Sequence, residues 1–136
     1  MVLKVRKSRA ERLPPTCEVG ECMGLLGGAW TPNVIWHLSG GPRRFGELRI
    51  DMPGISAKML SARLKDLEEK GVIRRTVAAT SPPSVEYALS DLGRELVPAI
   101  TAIAAVGARL KARRLAVAAA DAPTGQEATV QHKDED

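Results

Sequence analysis

The hydrophobic pattern predicts five helices, because apolar residues recur at intervals of three and four positions along most of the chain. Turns that contain glycine or proline separate these helices and mark where the first four end. Thr31-Pro32 is a typical helix start, since the threonine oxygen can cap and the proline loses only an N–H that would be unpaired anyway. The five helices are expected to begin near Cys17, Thr31, Arg43, Ser56 and Ser90.

The fourth predicted helix, residues 56–70, divides into an apolar face and a polar face. Ser56 suits the N-cap position, where its hydroxyl can accept a hydrogen bond from the first turn. The polar face is available to contact a ligand, because only the apolar stripe is needed for the core. The stripe consists of Ala57, Leu60, Leu64 and Leu67, and the opposite face carries Lys58, Ala62, Lys65 and Glu69, with Met59, Ser61 and Asp66 at its edges.

Two strands are expected after the fourth helix, in residues 72–78 and 85–89, where β-branched residues are frequent and apolar side chains alternate. The link between the strands contains Pro82 and Pro83, which cannot donate ladder hydrogen bonds, so it should project as a tip. Short helices followed by an antiparallel β-ribbon predict a mainly α fold of the winged helix-turn-helix type.

The last predicted helix, which follows Ser90, carries an apolar stripe over about five turns. A stripe of this length needs a partner. Pro98 should kink or restart the helix, because proline removes a hydrogen bond and crowds the preceding turn. The stripe consists of Leu92, Leu96, Ile100, Ile103, Gly107 and Leu110.

The chain of 136 residues has room for one domain with one modest core. Residues 1–16 alternate charged and small apolar residues and end in Pro14-Pro15, which favours a flexible basic arm. Residues 17–120 carry all the predicted helices and strands and should form the domain. The acidic segment 121–136 is polar and is expected to be disordered.

The formal net charge of +4 conceals a strong asymmetry along the chain. Residues 1–120 hold 19 basic and 11 acidic residues, a formal charge of +8, whereas the acidic segment holds five acids and one lysine. A basic domain suits a polyanion such as DNA, because neutralised phosphates release counterions. The sequence shows neither a membrane-spanning stretch nor a secretory signal, so we expect no membrane contact and a cytoplasmic protein.

The sequence contains no motif for catalysis and none for a cofactor. His37 and His132 are its only histidines, and it lacks both a phosphate-cradling glycine loop and a nucleophile elbow. Cys17, Cys22 and His37 would need a fourth ligand to hold zinc, and the cysteines lack the paired spacing of structural zinc sites. We therefore expect neither an enzyme nor a metal site.

In a winged helix-turn-helix with this order of elements, the fourth helix would enter the major groove while the tip of the ribbon reaches the neighbouring DNA backbone or the minor groove. Lys58 and Lys65 would supply charge and donors there, and the small Ser61 can approach a base edge or a phosphate. Arg63 is a further candidate contact, although it lies nearer the buried stripe and can instead brace the fold. The other candidate DNA contacts are Arg43 and Arg44 as a phosphate clamp, Ser56, Arg74 and Arg75 on the ribbon, and Ser84 in the wing.

A spaced series of residues between positions 17 and 107 resembles the HxlR-type regulators, a MarR-like family of winged helix-turn-helix proteins. A pattern of this length is far more specific than any single motif. The matching residues are Cys17, Leu26-Gly27-Gly28-Ala29-Trp30-Thr31, Gly41-Pro42-Arg43-Arg44-Phe45-Gly46-Glu47-Leu48, Pro53-Gly54-Ile55-Ser56, Leu60, Arg63-Leu64, Leu67-Glu68, Gly71 and Pro82-Pro83-Ser84-Val85-Glu86-Tyr87.

The resemblance implies a homodimeric transcription regulator whose N- and C-terminal helices form the dimer contact and whose operator is an inverted repeat. Repression is the default outcome, because a bound dimer can block polymerase without further contacts. Three departures from the family pattern are expected to weaken the wing and change the dimer contact. Ala29 stands where a lysine is common, Ser84 where a basic residue is common, and Val106 where a tryptophan is common.

Some members of this family sense oxidants or electrophiles through a cysteine at the position of Cys17, so a small-molecule or oxidant effector is a candidate partner. A helix dipole and the basic Arg12 would favour the reactive thiolate of Cys17, whereas Glu18 and Glu21 oppose it. The alternative is that Cys17 is simply a small buried hydrophobe. Cys22 lies five residues along the same helix, a separation that does not give disulfide geometry.

A second class of function fits the same fold, because a winged helix can be a protein-interaction module that does not bind DNA. The basic residues Lys58, Lys65, Arg43 and Arg44 favour DNA binding over this alternative. Double-stranded DNA is therefore the expected partner.

Overall fold

A computed structural model describes residues 5, 7, 9–13 and 18–122 of the chain. The predicted arm and acidic tail fall largely outside these residues, and Cys17 falls outside them entirely. Residues up to Val97 form one compact unit, and those from Pro98 form another. The described part contains, in order, α1 (Glu18–Leu26), α2 (Thr31–Leu38), α3 (Phe45–Asp51), α4 (Ala57–Glu69), β1 (Ile73–Ala78), β2 (Ser84–Leu89) and α5 (Asp91–Ala120).

This order confirms the mainly α winged helix-turn-helix that the sequence predicts. The core of the first unit is aliphatic, as expected for a chain in which only 3% of residues are aromatic. Val34 and Ile35 of α2 and Leu48 of α3 are completely buried, and α2 packs against both α3 and α4. In α4 the predicted stripe is buried at Leu60, Leu64 and Leu67.

Two predictions about the first turns of helices are wrong. Ala57, which the sequence places on the buried stripe of α4, is exposed, because it lies in the first turn, before the helix reaches the core. Thr31 is not an N-cap: it is the first residue of α2, and Trp30 holds the cap position with φ 71°. Thr31 is fully buried, and its hydroxyl donates to the carbonyl of Gly27 at 3.0 Å, so its oxygen is used by the preceding turn.

The predicted cap of α4 is confirmed. Ser56 has extended backbone angles, and its Oγ accepts a hydrogen bond of 3.0 Å from the backbone N–H of Met59. At the other end, Gly71 has φ +77°, a conformation that glycine adopts without a Cβ penalty. The chain can therefore turn from α4 into β1 within three residues.

The two strands pair antiparallel in a register that joins Ile73 to Leu89 at one end and Ala78 to Ser84 at the tip. A third segment, which the sequence pattern does not reveal, pairs with β2 ahead of α3. The backbone N–H of Arg43 donates to the carbonyl of Tyr87 at 2.9 Å, and the N–H of Tyr87 donates to the carbonyl of Arg43 at 2.8 Å. This bridge attaches the ribbon to the start of α3.

Helix α5 begins at the predicted cap, where the buried Ser90 Oγ accepts a 3.1 Å hydrogen bond from Gly93 N–H and lies 2.8 Å from the carbonyl oxygen of Val72. A methyl group at Gly93 would stand 2.3 Å from that same carbonyl oxygen, so α5 starts in direct contact with the backbone before β1. The helix does not restart at Pro98, which is exposed. Among the described residues, no helix is both long and apolar enough to span a membrane.

Candidate nucleic-acid interface

The exposed face of α4 carries the side chains that the sequence assigns to it. Lys58, Ser61 and Lys65 are all exposed. Within the described part of the chain, neither Lys58 nor Lys65 forms an ion pair, whereas the Lys70 ammonium lies 3.0 Å from Asp66. Two ammonium groups of this face are thus free to meet an external anion.

The orientation of this face is fixed by the opposite side of the helix. Leu60 and Leu67 are completely buried and Leu64 is 2% exposed, so a rotation of α4 would expose leucine to water. Removing apolar area from water stabilises only the orientation that points the lysines outward. The Ser56 cap holds the helix start, so the polar face is presented by a helix secured along its length.

Arg43 and Arg44, which the sequence pairs as a phosphate clamp, have different surroundings. The Arg43 guanidinium turns back on its own loop, with Nη1 donating to the carbonyl of Pro42 at 2.9 Å and Nε lying 3.7 Å from the Asp51 carboxylate. The Arg44 side chain is exposed, and its backbone N–H donates to Glu47 Oε1 at 2.7 Å. Arg44 alone therefore keeps its guanidinium available for a phosphate.

The wing offers fewer charges than the helix. Arg74 and Arg75 are exposed on β1, but neighbouring strand residues point to opposite faces, so the two do not serve one surface. Ser84 is half-buried at the start of β2, and residues 79–83 at the tip carry no charge. An open groove of about 710 Å³ separates the tip from the start of α3, and Arg44 and Phe45 line it together with Ser84.

Arg63 differs from the two lysines of α4. It is half-buried, and its Nε atom is buried with no hydrogen-bond partner among the described residues. Its guanidinium lies against Gly28 in the turn between α1 and α2, where a methyl group on Gly28 would come within 3.0 Å of Nη1. This position corresponds to the brace that the sequence offers as the alternative to a DNA contact.

Of the two cysteines, Cys22 lies within the described residues, where it is free and exposed on α1. Cys17, the predicted sensor, lies outside the described range. Within that range, no three residues of the types His, Cys, Asp and Glu come together as a metal site.

A helix that is packed on a helical core, presents lysines on its exposed face and is followed by a β-ribbon is typical of the winged helix-turn-helix class of regulators. The chain belongs to the HxlR-like helix-turn-helix family, whose sequence pattern matches residues 25–114. It is accordingly a transcription regulator of the helix-turn-helix type and not an enzyme.

Individual relatives agree with this assignment. The helix-turn-helix transcriptional regulator YdeP of Bacillus subtilis is 39% identical over 97 residues, which cover 71% of this chain and 76% of the relative. The redox regulator HypR in its oxidised form superposes with a TM-score of 0.66 at 34% identity, covering 68% of this chain and 96% of HypR. A MarR-family regulator from Porphyromonas gingivalis W83 gives a TM-score of 0.65 at 38% identity, with 72% and 96% covered.

Proposed function

We propose that this protein is a homodimeric repressor that binds an inverted-repeat operator through the exposed face of α4. The observation that carries the proposal is the pairing of two faces on one helix. Lys58 and Lys65 are exposed and unpaired within the described residues, while Leu60 and Leu64 opposite them are at most 2% exposed. A secured helix with free cations is suited to the major groove, where lysine donates to guanine and to phosphates.

The other proposed DNA contacts are supported by the exposure and position of their side chains. Ser61 is exposed and small enough to lie against a base edge, and Arg44 can bind a phosphate beside the groove of the wing. Ser56, whose hydroxyl is used as the helix cap, contributes through its position at the helix start. Arg75 is an exposed candidate for the backbone, and Ser84 supports the wing from a half-buried position.

A second copy of the chain is the proposed partner of α5. Ile103, Val106 and Leu110 are 55%, 44% and 58% exposed, and they line a shallow apolar groove of about 360 Å³. An exposed apolar patch on one helix commonly marks a protein interface. Two copies related by a two-fold axis present two recognition helices, which matches an inverted repeat.

The experiment is a salt titration of binding to a duplex taken from the region upstream of the protein's own gene, with an unrelated duplex for comparison. Specific binding should weaken steeply with salt, because each neutralised phosphate contributes a slope of about −0.9 in log K against log salt. Lys58→Met and Lys65→Met should each weaken binding, whereas Lys70→Met, which removes a lysine already paired with Asp66, should change it much less. If no upstream fragment is bound specifically, the winged helix is an interaction module.

A thiol effector is a second part of the proposal, supported by the likeness to HypR, which is a redox regulator. Cys17 is the proposed sensor, and the exposed Cys22 on α1 provides a matched control. Diamide should change operator binding by the wild type and by Cys22→Ser, but not by Cys17→Ser. If diamide leaves the wild type and Cys17→Ser equally unchanged, Cys17 is not a sensor.

A further inference from the structure

The turn that joins α1 to α2 has an unusual backbone for so short a segment. Gly28 has φ +102° and Trp30 has φ 71°, and a tryptophan rarely adopts a positive φ. The turn is continuous with the last turn of α1, because the N–H of Gly27 donates to the carbonyl of Met23 at 2.8 Å. Surrounding contacts must hold such a conformation in place.

The first of these contacts reaches the turn that precedes α4. The half-buried Trp30 ring lies over Gly54, where a methyl group would stand 3.1 Å from Cη2 and 3.4 Å from Cζ2. Gly54 is two residues ahead of the cap Ser56. The ring therefore limits where the start of α4 can lie relative to α2.

The second contact reaches the middle of α4. Arg63 crosses to Gly28, and its guanidinium occupies the space that a side chain at that position would fill. An arginine remains charged in proteins, yet Arg63 has no ion pair among the described residues and its Nε has no acceptor. Within the described range, close packing of the planar group against the turn is thus what holds this side chain.

We propose that the Gly27–Thr31 turn sets the position of α4 on DNA, with Trp30 and Arg63 as positioning residues that do not touch DNA themselves. The turn contacts α4 both just before its start and at its middle, so it fixes the tilt as well as the location of the helix. The inference rests on the proposed DNA-binding function.

The test compares Arg63→Met, Arg63→Lys and Gly28→Ala with Lys65→Met, on the upstream duplex and over a series of salt concentrations. A positioning residue should weaken binding about tenfold without changing the salt slope, whereas loss of a phosphate contact reduces the slope by about 0.9. Arg63→Lys should not restore affinity, because an ammonium cannot pack as a planar group. The double variant Gly28→Ala/Arg63→Met should lose no more than Gly28→Ala alone, since both substitutions remove the same contact and the backbone strain of alanine at φ +102° is already present in Gly28→Ala.

Stoichiometric titration of the binding-competent fraction separates weaker binding from loss of folded protein, and Gly28→Ala carries the test if Arg63→Met does not fold. The proposal is overturned if Arg63→Met lowers the salt slope by about one while Arg63→Lys binds normally, which would make Arg63 a phosphate contact. It is also overturned if Arg63→Met and Gly28→Ala both bind as tightly as the wild type. A wild type that binds no upstream duplex specifically overturns the proposed function, and this inference with it.

Discussion

Helices α4 and α5 carry similar apolar stripes, but the stripes have different fates. In α4, Leu60, Leu64 and Leu67 are all buried within the first unit. In α5 the stripe is buried at Ile100 and is more than half exposed at Leu110. Periodicity therefore shows that a helix face needs cover, and it does not show whether the same chain provides that cover.

The two helices also differ in charge. The distal part of α5 is more basic than α4, because positions 96–120 carry four basic residues and no acidic one, whereas α4 carries three of each. What separates the helices is their packing, because α4 is secured on the core of the first unit and presents its lysines on one side. The basic residues of distal α5 are Arg109, Lys111, Arg113 and Arg114.

The largest effect should come from the buried stripe. Leu64→Ala should lower the free energy of unfolding by about 2–5 kcal/mol, because it removes buried methyl groups and leaves a cavity. Chemical denaturation at several protein concentrations measures this loss, which should persist at every concentration. Ile50→Ala on α3, where the side chain is 79% exposed, is the matched control and should change stability little. Equal losses in both variants would contradict the burial of the α4 stripe.

A substitution in the exposed stripe of α5 should weaken dimerisation. Leu110→Ala should raise the dimer dissociation constant about tenfold or more, since a buried leucine contributes roughly 1.5–3 kcal/mol. Analytical ultracentrifugation measures this change directly. Leu115→Ala provides the control, because Leu115 is 55% exposed on the same helix but does not line the apolar groove. A wild type that stays monomeric, or a Leu110 variant that dimerises normally, would exclude this groove as the dimer contact.

The start of α5 can be tested by adding one methyl group. Gly93→Ala should destabilise the protein by about 1–3 kcal/mol, because the new Cβ would collide with a backbone carbonyl that cannot move freely. Gly46→Ala on α3 has nothing within 4 Å of the new Cβ and should be neutral or stabilising. Thermal unfolding followed by circular dichroism compares the two. If both alanines are tolerated, α5 does not start against the backbone of Val72.

The smallest expected effect distinguishes the caps of the two helices. Ser90→Ala should cost about 2 kcal/mol, since its buried hydroxyl bonds both the helix start and the preceding backbone. Ser56→Ala should cost about 1 kcal/mol, because its cap is exposed and water can replace the lost acceptor. Urea denaturation of both variants measures the difference. Equal losses would show that burial of Ser90 adds nothing to its cap.

Much of the candidate DNA-binding face could be predicted from local sequence signals. The cap at Ser56 and the exposed Lys58 and Lys65 follow from residues within one or two helical turns. The interpretation of Arg43 failed to foresee its contacts, because the bridge to Tyr87 joins residues 44 positions apart in the chain. No periodic pattern reports such a pairing.

The sequence by itself determined the order of the helices and the ribbon, the family, and the face of α4 that carries the lysines, because each depends on neighbouring residues or on a spaced motif. Tertiary structure decided the roles of side chains that have two plausible partners. Arg63 packs on the turn at Gly28, Thr31 is buried in the core, and the distal stripe of α5 remains exposed. These outcomes depend on which distant surfaces meet, and that is a property of the packed chain.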